Sequence, residues 1–117
     1  MSALVLVVDD DDAIRDMLQS VLEDEGYVVS LARHGLEALQ RIMERPPSVI
    51  LLDLQMPVMT GYELHDALKA QGAAIPVVYM SAGTIVRSEA ERRHADGYIA
   101  KPFSLDDLVG TVARFVA

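Results

Sequence analysis

Residues 3–8 are all apolar and the run ends abruptly in two carboxylates: Ala3-Leu4-Val5-Leu6-Val7-Val8-Asp9-Asp10. Continuous rather than alternating hydrophobicity is what a strand needs when both of its faces are covered. The run is far too short to span a bilayer, which takes about 20 residues. No basic region precedes it and no small-residue cleavage site follows, so it does not read as a secretory leader. Comparable runs rich in Val, Ile and Leu occur at 28–32, 49–52, 77–80 and 98–100, each bounded by turn or charged residues. Five strands are expected.

Helical spacing fills the intervals. Ile14, Met17, Leu18, Val21 and Leu22 form one apolar stripe, and Gly26 ends that helix. A second helix from Gly35 to Glu44 turns Leu36, Leu39, Ile42 and Met43 inward and stops before Pro46 and Pro47. A third, Gly61 to Gln71, buries Leu64 and Leu68. The last begins at Ser104, a good N-cap, and aligns Leu105, Leu108, Val109, Val112 and Val116. The fourth, from about Thr84 to Arg93, has only Ile85 and Val86 as large apolar residues, so a short or mobile helix is expected there.

Strict alternation of buried strands with helices implies a parallel sheet covered on both faces, a three-layer α/β domain with right-handed crossovers. Ligands in such sheets bind beyond the carboxyl ends of the strands. The first strand ends at Asp9 and Asp10, the third at Asp53, the fourth at Ser81 and the fifth at Lys101. The second ends at Leu31 and Ala32, with nothing reactive, as suits an edge strand beside a central first and third.

Composition narrows the partners. The 117 residues carry 18 acidic and 10 basic side chains, a net charge of −8, while 51% are hydrophobic. That supports one folded domain spanning 1–117, with no output domain in this chain, instead of a disordered acidic tail. So acidic a surface repels nucleic-acid phosphates, and no direct nucleic-acid contact or membrane insertion is expected. Cysteine is absent, which removes thiolate chemistry and Cys-ligated zinc. A cytoplasmic protein is expected. Only Lys69 and Lys101 are lysines.

If Asp9, Asp10 and Asp53 meet at one mouth, each pair about 4 Å apart repels by roughly 4 kcal/mol at an effective dielectric near 20. Such a cluster calls for a cation. Hard oxygen ligands suit Mg²⁺, with Mn²⁺ as a substitute. A carboxylate can also act as a nucleophile toward phosphorus, a lysine can neutralise the transferred group, and the Ser81 hydroxyl can donate to it.

At this point the motifs resemble a family. Val7-Val8-Asp9-Asp10, Leu51-Leu52-Asp53-Leu54-Gln55-Met56-Pro57 followed by Gly61, Met80-Ser81-Ala82, and Tyr98-Ile99-Ala100-Lys101-Pro102-Phe103 together resemble the receiver domain of two-component response regulators, over essentially the whole chain. The resemblance implies a flavodoxin-like sheet in the order 2-1-3-4-5 with five helices. It implies that Asp53 accepts a phosphoryl group from a histidine kinase or histidine phosphotransfer protein. Asp10, Asp53 and the backbone carbonyl of Gln55 would ligate Mg²⁺, with Asp9 acting mainly through water. Lys101 would pair with the acidic site and then with the phosphoryl group, and its bond to Pro102 would be cis. Ser81, with Ala82 beside it, would be the switch hydroxyl and Tyr98 the aromatic switch. The output surface would be the fourth helix, fifth strand and fifth helix, on a monomer or a phosphorylation-linked dimer. The chain departs from the family in a slightly short Ser81–Lys101 interval and in His94-Ala95, where a small Gly-Ala turn is usual.

Other roles compete for some of these residues. Asp11 or Asp12 is expected to cap the first helix. His34, His65 and His94 read as surface residues, and Met56 and Met59 as packing for the loop beyond Asp53. A Mg²⁺-dependent phosphohydrolase would need a second acid two positions after its nucleophile, where Gln55 stands instead. A phosphorylation-independent interaction module is the remaining alternative on the same fold.

Overall fold

A computed structural model describes residues 2–56, 58–82 and 85–116. Strands β1 (Leu4–Val8), β2 (Val28–Ala32), β3 (Val49–Asp53), β4 (Val77–Ala82) and β5 (Gly97–Lys101) alternate with helices α1 (Asp12–Asp24), α2 (Gly35–Glu44), α3 (Gly61–Ala70), α4 (Ile85–Arg93) and α5 (Leu105–Val116). The strands form one parallel sheet in the order β2-β1-β3-β4-β5. Every expected strand and helix is present, and β2 lies at an edge.

Period-two alternation divides the core. Val5 and Val7 face α1 and α5 with Leu18, Leu22, Leu108 and Val112, whereas Leu6 and Val8 face the other layer with Ala38, Leu64, Leu68 and Val86. Strands β1 and β3 are buried along their whole length, which explains their unbroken apolar sequences. Gly26 ends α1 in the left-handed region at φ 92°, and Ser104 Oγ accepts from the Asp107 amide at the start of α5.

Helix faces are narrower than their periodicity suggests. Met17, Leu36, Met43 and Leu105, all expected to point inward, are exposed. In α2 the deeply buried positions are Gly35 and Ala38, because a small-residue stripe lets the loop beyond β3 come close; a Cβ at Gly35 would collide with Met59. Met56 is buried and Met59 packs against the same core, as expected for loop filling. Pro57 and the expected helix start at Thr84 lie outside the described residues. Helix α4, of 9 residues, is the shortest of the five, and it buries only Val86 and Ala90.

Candidate functional site: an acidic mouth with one lysine

Strand ends and the first turns after them bring the predicted groups together. Asp9 and Asp10 follow β1, Asp53 closes β3, and Lys101 closes β5 two strands away. Carboxylate oxygens of Asp9, Asp10 and Asp53 lie within 4.8 Å of one another. Lys101 Nζ donates to Asp9 Oδ2 at 2.9 Å and stands 3.7 Å from Asp53 Oδ1. Three carboxylates thus face a single ammonium, and the unbalanced negative charge suits a divalent hard cation.

The members differ in freedom. Asp9 is fully buried, and its other oxygen accepts from the Asp11 amide at 3.0 Å. Asp10 is exposed and makes no hydrogen bond or ion pair among the described residues. Asp53 is nearly buried, and the Gln55 amide donates to its Oδ1 at 3.4 Å. Burial first, and then the Asp9 charge, push the Asp53 carboxyl up to about 6, with Lys101 opposing. The acidic partners outweigh burial for Lys101 and raise its pKa, so it stays charged.

The loop beyond Asp53 folds back on it. The Gly61 amide donates to the Leu54 carbonyl at 3.2 Å, and a Cβ at position 61 would strike the Asp53 carbonyl, so only glycine lets α3 start this close. Thr60 and Glu63 then form a reciprocal capping box.

Ser81 is buried at the end of β4, one residue beyond the Asp53–Met80 pairing, and Ala82 is paired with Lys101. Tyr98 is 40% exposed. It lines a groove of about 800 Å³ between α4, β5 and α5 together with Pro102, whose bond to Lys101 is cis as expected. Asp11 is the N-cap of α1, accepting from the Ala13 and Ile14 amides, while Asp12 pairs with Arg15.

One histidine contradicts its sequence reading. His34 caps α2 by accepting from the Glu37 amide, and His94 is exposed, but His65 is buried at 4% exposure and its Nδ1 is hydrogen-bonded to the Tyr79 hydroxyl. Its ring meets Tyr79 edge-on, and burial lowers its pKa. The partner sits on β4, so nothing local in α3 could have revealed it. Arg15 was missed altogether: it is 9% exposed, and its Nη1 donates to the Asp9 carbonyl at 2.7 Å.

Comparison with known proteins is consistent over nearly the full chain. The family model described as the response regulator receiver domain matches residues 5–113. The response regulator MprA of Mycobacterium ulcerans (strain Agy99) is 39% identical over 111 residues, covering 93% of this chain and 48% of that protein. The chain therefore spans about half the length of the curated relatives it matches. Among solved structures, the Vibrio cholerae chemotaxis protein CheY4 superposes with a TM-score of 0.89 at 35% identity, covering 98% of this chain and 99% of that one. The receiver domain of NtrX from Brucella abortus gives a TM-score of 0.88 at 34% identity, covering 96% and 97%.

Proposed function

Because the chain belongs to the response regulator receiver domain family, we propose that it accepts a phosphoryl group on Asp53 from a phosphohistidine of a partner kinase or phosphotransfer protein and signals by changing its protein contacts. The observation that carries this reading is the meeting of Asp9, Asp10 and Asp53 within 4.8 Å, with Lys101 reaching both Asp9 and Asp53.

Asp53 supplies the nucleophilic oxygen. With its pKa at about 6 it is mostly ionised at neutral pH. In the transfer a P–O bond to Asp53 forms as the donor's P–N bond breaks, and the departing imidazole takes up a proton. Asp10, Asp53 and the Gln55 carbonyl would hold Mg²⁺, or Mn²⁺ in its place, with Asp9 acting through water because both its oxygens already have partners. The ion supplies charge neutralisation for the phosphoryl oxygens. Lys101, closer to Asp9 than to Asp53 beforehand, moves its charge toward the new anion. Ser81 donates its hydroxyl to that anion, and the outward Tyr98 ring turns toward the space vacated.

No turnover of a separate substrate is assigned, since Gln55 is an amide and cannot act as general acid or base. A net charge of −8 favours protein partners over nucleic acid. Among the described residues no helix is long and apolar enough to cross a membrane. A cytoplasmic location is part of the same proposal and rests on the receiver-family membership.

The test is to incubate the protein with Mg²⁺ and phosphoramidate and follow its intact mass. A single phosphoryl adduct, absent in Asp53→Asn and absent with EDTA, is expected. An adduct that survives Asp53→Asn would place the acceptor elsewhere, and no adduct on the unmodified chain would favour phosphorylation-independent binding.

A further inference from the structure

Arg15 is a buried charge that the proposed chemistry leaves without a task. Its neighbours Ile14 and Leu18 belong to the inward stripe of α1, and the residue is only 9% exposed. Removing a guanidinium from water costs several kcal/mol unless its donors find acceptors. Two do: Nη1 donates to the Asp9 carbonyl at 2.7 Å, and Nη2 donates to the Asp12 carboxylate.

The Asp9 carbonyl belongs to the peptide unit joining Asp9 to Asp10, and that unit is planar. Holding its oxygen fixes the plane whose far end carries the Asp10 nitrogen and Cα. Asp9 is held independently, through its own amide to the Ala32 carbonyl at 3.1 Å and through both carboxylate oxygens. The Asp10 side chain has no such anchor among the described residues. Its direction is inherited from its backbone.

We infer that Arg15 is a positioning residue for the metal-binding loop: it orients the Asp9–Asp10 peptide so that the Asp10 carboxylate is aimed at Asp53. This rests on reading the acidic cluster as a Mg²⁺ site. It also carries a sign that electrostatics alone would reverse. A cation near a bound divalent ion repels it, so deleting the charge without losing geometry should tighten Mg²⁺ binding. Loss of positioning should weaken it, and partners of this kind are worth about tenfold or more in metal affinity.

The experiment measures Mg²⁺ dissociation constants by titration calorimetry for the unmodified chain, Arg15→Lys and Arg15→Met, with thermal unfolding in EDTA to establish that each is folded. The amide resonance of Asp10 is followed without metal. About tenfold weaker binding is expected for Arg15→Met and a smaller loss for Arg15→Lys, each with a displaced or broadened Asp10 amide. Should Arg15→Met not fold, Arg15→Lys decides alone, since it keeps the charge but lacks the guanidinium fork. Unchanged or tighter binding in a folded variant overturns the inference while leaving the Mg²⁺ reading intact. If the unmodified chain binds no Mg²⁺, or binds it equally well as Asp10→Ala, the metal reading fails and the inference falls with it.

Discussion

At Asp53 the same physics that would prepare the proposed nucleophile opposes folding. Burial and the neighbouring Asp9 charge hold its carboxyl at about 6 against an ordinary value of 3.8. The folded state therefore binds this proton more tightly than the unfolded chain does. Its contribution is fully present below pH 4 and is lost as pH rises through about 6, so the ionised group opposes folding at neutral pH. The difference corresponds to roughly 2–3 kcal/mol. In EDTA, Asp53→Asn should be more stable than the parent by about that amount at pH 7, with the gain shrinking toward pH 4. Denaturant unfolding at the two pH values checks this; an advantage that does not depend on pH would mean that repulsion is not its source. Asp9, Asp53 and Lys101 could be picked out in the sequence because each stands where a strand ends. His65 and Arg15 could not, because their partners are a β4 hydroxyl and a backbone carbonyl.

Helix α4 shows how an element short of apolar residues is secured. Val86 and Ala90 are its buried positions, and α3 adds a polar clamp at its far end. Arg93 stacks over the Tyr62 ring with 4.3 Å from Cζ to the centroid, and its Nη1 stands 3.5 Å from Asp66 Oδ1. Lys69 Nζ donates to the Arg93 carbonyl, satisfying a helix-end acceptor. Tyr62, Asp66 and Lys69 fall at i, i+4 and i+7, on one face of α3. A partly exposed cation–π contact is worth about 1 kcal/mol, so Tyr62→Ala should speed amide exchange in α4 roughly fivefold while leaving β1 and β3 unaffected. Hydrogen exchange followed by mass spectrometry measures both. Equal protection of α4 in the variant would show that Val86 and Ala90 suffice. Apolar counting detects the weakness of α4 but not the clamp, because the clamp is built by charged residues that read as solvated on either helix alone.

For the whole molecule, the gathered carboxylates should make stability depend on metal. A ligand that binds only the folded state stabilises it by about 2.7 kcal/mol at a hundredfold excess over its dissociation constant. Mg²⁺ should therefore raise the melting temperature by several degrees at pH 7, by less as pH falls through about 6 where Asp53 takes up a proton, and not at all in Asp10→Ala. Scanning calorimetry at matched ionic strength tests this, and a shift that persists in Asp10→Ala would point to another site. Strand and helix order, the edge position of β2, the two-layered core and the residues at each strand end follow from the sequence by itself, because periodicity and apolar runs are local and right-handed crossovers leave few ways to assemble them. Only the tertiary structure decided that Lys101 reaches Asp9 across 92 positions of sequence, that His65 is buried, that Leu36 and Met43 are left outside, and that Arg15 holds the Asp9–Asp10 peptide. Those outcomes depend on strand register and on how far each helix is rotated against the sheet, and these are set by packing between segments distant in sequence.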